Sequence, residues 1–166
     1  EEERINLAGI LITHAHEDHY GALLELWPRL RVPVYATAFT AGLLNAKRAM
    51  DPGFEVVPVT VVAPGGRFKV GPFDIEYVNV THSIPEANAL AIRTPLGTVV
   101  HTGDWKLDDT PVLGAPTDVA RLKAIGGEGV LALVCDSTNA YREGRSPSER
   151  EVALEIEDVV RMAKGR

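Results

Sequence analysis

One cysteine in 166 residues excludes an intrachain disulfide framework, so the fold must rest on its apolar core. That residue, Cys135, lies in the apolar run VLALVCD and is expected to be a buried structural thiol in a reducing compartment. No apolar run approaches the length of a membrane span, and the acidic start EEERIN is the opposite of a cationic signal-peptide start. The expected location is the cytoplasm, with no membrane partner. Basic charge is short as well. Seventeen Lys and Arg against 23 Asp and Glu leave a net charge of -6, so no global electrostatic footprint marks a nucleic-acid partner. Such a partner would have to be held by a local patch or by another domain. Low-complexity stretches and internal repeats are missing, and what remains is the composition of an ordinary soluble domain, 45% hydrophobic and 24% charged. There is no initiating methionine, and the chain breaks off at AKGR inside an expected helix, so it is expected to be a fragment of a longer protein.

Periodicity supplies the elements. LAGILI (7–12) reads as a short buried strand, GALLELWPRL as a helix stopping near Pro28, VPVYAT as a second strand, and AFTAGLLNAKRAM as a helix up to the breaker DPG. From Val56 the texture turns to β: EVVPVTVV, RFKV and FDIEYVNVTH, with turns at APGG and Gly71-Pro72. ALAIRT and TVVHTGDW flank Pro-Leu-Gly as a hairpin. A helix around TDVARLKAI, a strand VLALVCD and a last helix from about Pro147 follow, with Ser146 as its N-cap and Glu149 three residues on. Strands in the middle and helices on either side favour a layered α/β fold with mixed sheets over a doubly wound one.

Histidine is scarce too, yet three of the five fall within six residues, His14, His16 and His19 in THAHEDHYG. At a strand end, residues two apart face the same way, so His14 and His16 can converge on one point. Asp18 and His19, turned by the loop into the following helix, can address a second point nearby. Neutral imidazole and carboxylate suit zinc, at Zn–N distances of about 2.0–2.1 Å. Asp18 could instead cap the helix, and Glu17 reads as a solvated first-turn acid. Such a density of imidazole nevertheless favours a metal site, and further donors are expected at later strand ends. His82 in NVTHSIP and Asp104 in VVHTGDWK are the candidates; glycine beside Asp104 lets the backbone approach closely. Asp104 alone would read as a plain turn aspartate. His101, three residues before it, is expected in a packing or supporting role rather than as a ligand.

HxHxDH with a later His and a Gly-Asp resembles the metallo-β-lactamase superfamily, whose fold is an αββα sandwich. LITHAHEDHYGAL, VTHSIPEANALAIRTPLGTVVHTGDWKLDD and VCDSTNAYREGRSPSE are similar, in combination, to the ribonuclease J family of β-CASP RNA-processing nucleases, from about Leu7 to Glu151. The resemblance implies His14, His16 and His82 on one zinc, Asp18 and His19 on the other, and Asp104 bridging, with Mn2+ or Mg2+ as substitutes. It puts Asp136 where an acid orients a zinc-binding histidine; on its own Asp136 reads as a strand-end turn acid serving Ser137 and Thr138. It implies two-metal activation of a water for attack on RNA phosphodiesters, exo- and endonucleolytic, with Asp18 accepting a hydrogen bond from the attacking hydroxide. Single-stranded RNA would be the substrate and the full-length protein a homo-oligomer. Against the family pattern, the opening strands, the β-CASP domain, toward which residues 136–166 would lead, and one later histidine are missing, so the piece alone is expected to be incomplete. The same HxHxDH also fits a thioesterase or lactonase of the glyoxalase type. A non-catalytic module would be expected to have lost ligands, and every position that can be checked is filled.

Overall fold

The computed structural model describes residues 2–165. After a 3-10 turn at Glu2–Asn6, the elements run β1 (Ile10–Leu11), α1 (Glu17–Tyr20), α2 (Leu23–Leu30), β2 (Val34–Ala36), α3 (Ala38–Met50) and β3 (Val59–Val61). Then follow β4 (Arg67–Val70), β5 (Phe73–Asn79), β6 (Asn88–Thr94), β7 (Gly97–His101), α4 (Val119–Glu128), β8 (Ala132–Val134) and α5 (Glu149–Met162). Two sheets form among the described residues. One is three-stranded in the order β1-β2-β3, and the other five-stranded in the order β4-β5-β6-β7-β8.

Three apolar clusters show how the layers stack. Val34 and Ala36 of β2 pack outward against Tyr20, Leu23, Leu24, Trp27 and Leu44 of the helices. The alternate residue Tyr35 faces the other sheet, where Ile75, Tyr77 and Leu90 meet Leu11 and Phe68. On the far side, Val78, Ala89, Ala91 and Val100 pack on Ile125 and Leu122 of α4. The period-two alternation of β2, β5 and β6 thus gives each sheet one face for helices and one for the other sheet. The result is the expected αββα order.

Several boundaries differ from expectation. The second sheet is mixed, with β7 and β8 parallel, but the first is wholly parallel, with helices crossing between its strands. Helix α2 ends at Leu30, near Pro28 as expected; only one intrahelical bond, to Leu24, is lost at the proline, and the burial of Leu23, Leu24 and Trp27 holds the turn. The cap of α5 is Ser148, not Ser146. Its hydroxyl accepts from the Glu151 amide at 3.1 Å, and its own amide donates to the Glu151 carboxylate at 2.6 Å. Glu149, the partner that Ser146 would need, instead accepts from the Val112 amide and pairs with Lys106. Cys135 is exposed rather than buried, because β8 is the outermost strand of its sheet and all three of its residues are exposed. No helix among the described residues is long and apolar enough to cross a membrane.

Candidate metal centre

The end of β1 and the loops after β5 and β7 meet at one edge of the two sheets. Thr13 carries the chain out of β1: its carbonyl accepts from the Asn88 amide of β6 at 3.0 Å, which ties the first sheet to the second just before His14. Nearby the Tyr77 hydroxyl, fully buried, lies 3.2 Å from the Ile12 carbonyl and 3.1 Å from that of Tyr35. The Asp104 turn is seated by Gly103, whose φ of +58° favours glycine. A side chain there would press within 3.2 Å of the Asn88 carbonyl and of Thr13.

On this base four histidines and one aspartate converge. Donor atoms of His14, His16 and His82 all lie within 4.8 Å of one another, as do those of His14, His19 and Asp104. His14 therefore belongs to both groups. Its ring lies 4.1 Å from that of His19, 4.9 Å from His16 and 5.0 Å from His82, centre to centre. The Nε2 atom of His82 is 3.0 Å from Nδ1 of His16. One carboxylate oxygen of Asp104 stands 3.4 Å from Nε2 of His19 and 3.8 Å from Nε2 of His82, so it reaches toward both groups.

The electrostatics suit an ion. His14 is fully buried, its Nδ1 lies 3.0 Å from the Thr13 hydroxyl, and its Nε2 has no hydrogen-bond partner. A buried polar atom left unpaired is costly, and a lone pair aimed into a cluster of donors is what a metal would satisfy. Burial first, and then the neighbouring His19 and His82, pull the His14 pKa down to about 4. Burial, reinforced by His16, also lowers that of His82. Both rings are therefore neutral near pH 7 and free to donate, the form in which imidazole binds metal.

The remaining expected residues fall around this centre. Asp18 is the second residue of α1, whose N-cap is His16, so it does not cap the helix. Its side chain is 79% exposed and stands 3.5 Å from His19, at the rim and outside both donor groups. Glu17 is not simply solvated: it pairs with Lys47 of α3. His101 belongs to neither group and lies 3.4 Å from the Val134 carbonyl and 3.4 Å from the Gly103 amide, against the turn that carries Asp104. The Asp136 carboxylate accepts from the Thr138 amide at 2.9 Å and hydroxyl at 2.6 Å. Those bonds hold its pKa below the usual carboxylate range, and its charge is felt at His82. Thr13, Tyr77 and Asn88 carried no sequence signal of their own, because what they do depends on the meeting of the two sheets.

A fold with two face-packed sheets, helices outside, and a histidine-rich donor cluster at the sheet ends defines the class. The chain belongs to the β-lactamase superfamily: the Beta-lactamase superfamily domain model matches residues 2–127. More particularly, it is similar to ribonuclease J proteins. It is 61% identical to Ribonuclease J of Sinorhizobium meliloti over 99% of this chain and 29% of that one. Ribonuclease J of Thermus thermophilus is 41% identical over 99% of this chain and 30% of that protein, and that of Helicobacter pylori 42% identical over 96% and 23%. The chain thus spans less than a third of the length of these relatives. Among solved structures, a protein of unknown function from Enterococcus faecalis V583 superposes with a TM-score of 0.64 at 21% identity, over 91% of this chain and 38% of that one. Zn(2+)-bound PqqB from Methylobacterium extorquens does so with a TM-score of 0.55 at 16% identity, over 75% and 44%. Both support the fold alone.

Proposed function

We propose that this chain carries the metal centre of an RNA-hydrolysing enzyme of the ribonuclease J kind. The observation that carries the metal reading is the double membership of His14, whose two donor groups share a ring and have Asp104 between them. Similarity to ribonuclease J over nearly the whole chain supports RNA as the substrate. His14, His16 and His82 would hold one divalent ion, Asp18 and His19 the other, and Asp104 would reach both; zinc suits the imidazole-rich set, with Mn2+ or Mg2+ as substitutes. Two such ions supply Lewis acidity toward phosphate oxygens and lower the pKa of an attacking water. The protein's own part is to keep His14 and His82 neutral, to orient His14 through Thr13, and to seat Asp104 through the Gly103 turn. Asp18, at the exposed rim, would in addition accept a hydrogen bond from the attacking hydroxide.

In the same reading, residues 136–166 lead toward a β-CASP domain, and α5, which buries none of its residues among those described, is the connecting element. Cleavage in both exo- and endonucleolytic modes, a cytoplasmic location and a homo-oligomeric whole protein belong to the proposal. The test is cleavage of single-stranded RNA by the full-length protein with zinc or manganese, compared with its His16→Ala and Asp104→Ala variants. Loss of most activity in both is expected, by about 100-fold or more for residues holding the reaction's metals. Ready hydrolysis of a thioester or lactone with RNA left intact would overturn the reading.

A further inference from the structure

The two loops that carry the histidines are fastened to opposite ends of the same helix, α3. At its C-terminal half, Lys47 pairs with Glu17 of α1 and donates to the Gly21 carbonyl at 3.0 Å, gripping the segment that bears Asp18 and His19. At its N-terminus, the Phe39 amide donates to the Glu86 carboxylate at 2.9 Å, and Glu86 belongs to the loop that bears His82. The two attachments are eight residues apart on α3, about 12 Å along its axis.

The Glu86 attachment is unusual in two ways. Thr37, the N-cap of α3, makes no capping bond with its side chain; its hydroxyl faces that of Thr40 at 3.3 Å. A first-turn amide of α3 is therefore satisfied from outside the helix, by an anion in the favourable place for one. Glu86 also has a φ of +57°, in the left-handed region that residues other than glycine seldom adopt. Surrounding bonds hold it there. The Asn88 side-chain amide donates to the Glu86 carbonyl at 2.6 Å, and the Val80 amide donates to the Ala87 carbonyl at 3.0 Å, closing the His82 loop at its base. Asn88 is fully buried, and its backbone amide is the one on Thr13. With its base closed, the loop is tied to α3 by the Glu86 carboxylate and meets the N-cap of α1 through the His82 and His16 rings.

We propose that Glu86 is a positioning residue for His82: by holding the Phe39 amide, its carboxylate sets the His82 loop against α3 and so against the His14–His19 segment held at the helix's other end. This rests on the reading of His82 as a metal ligand. The test uses the full-length protein, stripped of metal and titrated with Co2+, with binding and the visible absorption of the bound ion as readouts, in wild type, Glu86→Gly and Glu86→Gln. Glycine takes the backbone angle without strain and lacks the carboxylate; glutamine keeps an oxygen acceptor for Phe39. Glu86→Gly is expected to melt cooperatively without metal, to bind one Co2+ about 10-fold or more weakly, and to change its absorption, as for loss of a residue that orients a ligand. Glu86→Gln is expected to recover most of the affinity and the wild-type spectrum. Wild-type binding and absorption in Glu86→Gly would overturn the proposal. So would failure of Glu86→Gly to fold, which would make Glu86 a support of the whole domain, or a Glu86→Gln as weak as glycine. Absence of Co2+ binding in wild type would overturn the metal reading itself, and the proposal with it.

Discussion

Because His14, with one unpartnered nitrogen, would serve the same ion as His16 and His82, its removal should affect that ion as removal of His16 does and leave the ion of His19 in place. An ion bound only by the folded state stabilises it by about 2.7 kcal/mol at a free concentration 100 times its dissociation constant. Two ions at that excess stabilise wild type by about 5 kcal/mol over the stripped protein. His16→Ala reduces one three-donor group to two and leaves the other whole, so it should keep about half of that gain, and His19→Ala likewise the other half. His14→Ala removes a donor of the same ion as His16→Ala and should likewise keep about half. The metal-free proteins should differ less, since losing the ring leaves a cavity but also removes a buried Nε2 without a partner. The assay is urea unfolding of the four full-length proteins in chelator and in excess zinc, with bound metal counted after dialysis. If His14→Ala keeps almost none of the gain from zinc, or all of it, the assignment of His14 to the ion of His16 does not describe the working site.

Two further outcomes concern charge. Glu76 is buried between Arg93, at 2.8 Å, and Arg121, and the hydrogen bond from Arg121 is the main cause of its lowered pKa. Glu76→Gln removes the charge between two guanidinium groups that each keep Glu128 as a partner, and should cost about 2 kcal/mol, discounted because Arg121 is a third exposed. The carboxylate's contribution is present above the unfolded pKa near 4.5 and is lost as pH falls through the lower folded value, so wild type and variant should converge in acid-unfolding curves below about pH 4.5. His14 has the same protonation preference, the folded state favouring the deprotonated form, here the neutral ring rather than a charged carboxylate. With its folded pKa at about 4 against 6.5 unfolded, the unfolded chain takes up the proton first, so the stripped protein should lose up to about 3 kcal/mol as pH falls from 6.5 to 4. His14→Ala should lack that slope in denaturant titrations at successive pH values; an equal slope would show that His14 is not the group responsible.

Local pattern was enough for much of the fold. AFTAGLLNAKRAM and RFKV occupy the spans that periodicity assigned, because each carries its own stop signal, DPG after the first and Gly71-Pro72 after the second. Pattern failed where the answer depended on a neighbour. VLALVCD reads as buried from its composition, but an apolar run does not say whether its strand lies inside the sheet or at its margin, and β8 lies at the margin. Ser146 and Ser148 each have a glutamate three residues on; the choice fell to Asp108, 41 residues upstream, and to Lys106 beside it, which engage Glu149. At the candidate site the clustering was legible, since His14, His16, His82 and Asp104 lie beyond strand ends and His19 in the following helix, and their donor atoms meet, whereas Asp18 joins neither group. Their supports were not, because Glu86, Asn88 and Tyr77 acquire their roles only when two sheets and α3 come together.

That difference bears on how such a centre is built. The ring of His14 lies within about 5 Å of those of His16, His19 and His82; such rings repel when protonated and leave lone pairs unpaired when neutral, so the donors alone would drive their loops apart. Apolar packing cannot hold them, because the site opens at the sheet ends. What opposes the repulsion is a set of directional bonds in the layer beneath: Tyr77 between the Ile12 and Tyr35 carbonyls, Asn88 on Thr13 and on Glu86, and α3 tied to both loops. Each of these is anchored in an element whose apolar residues were needed for the sandwich in any case. The fold therefore supplies preorganisation at the cost of a few buried polar groups, and the donors are held together by the layer beneath them.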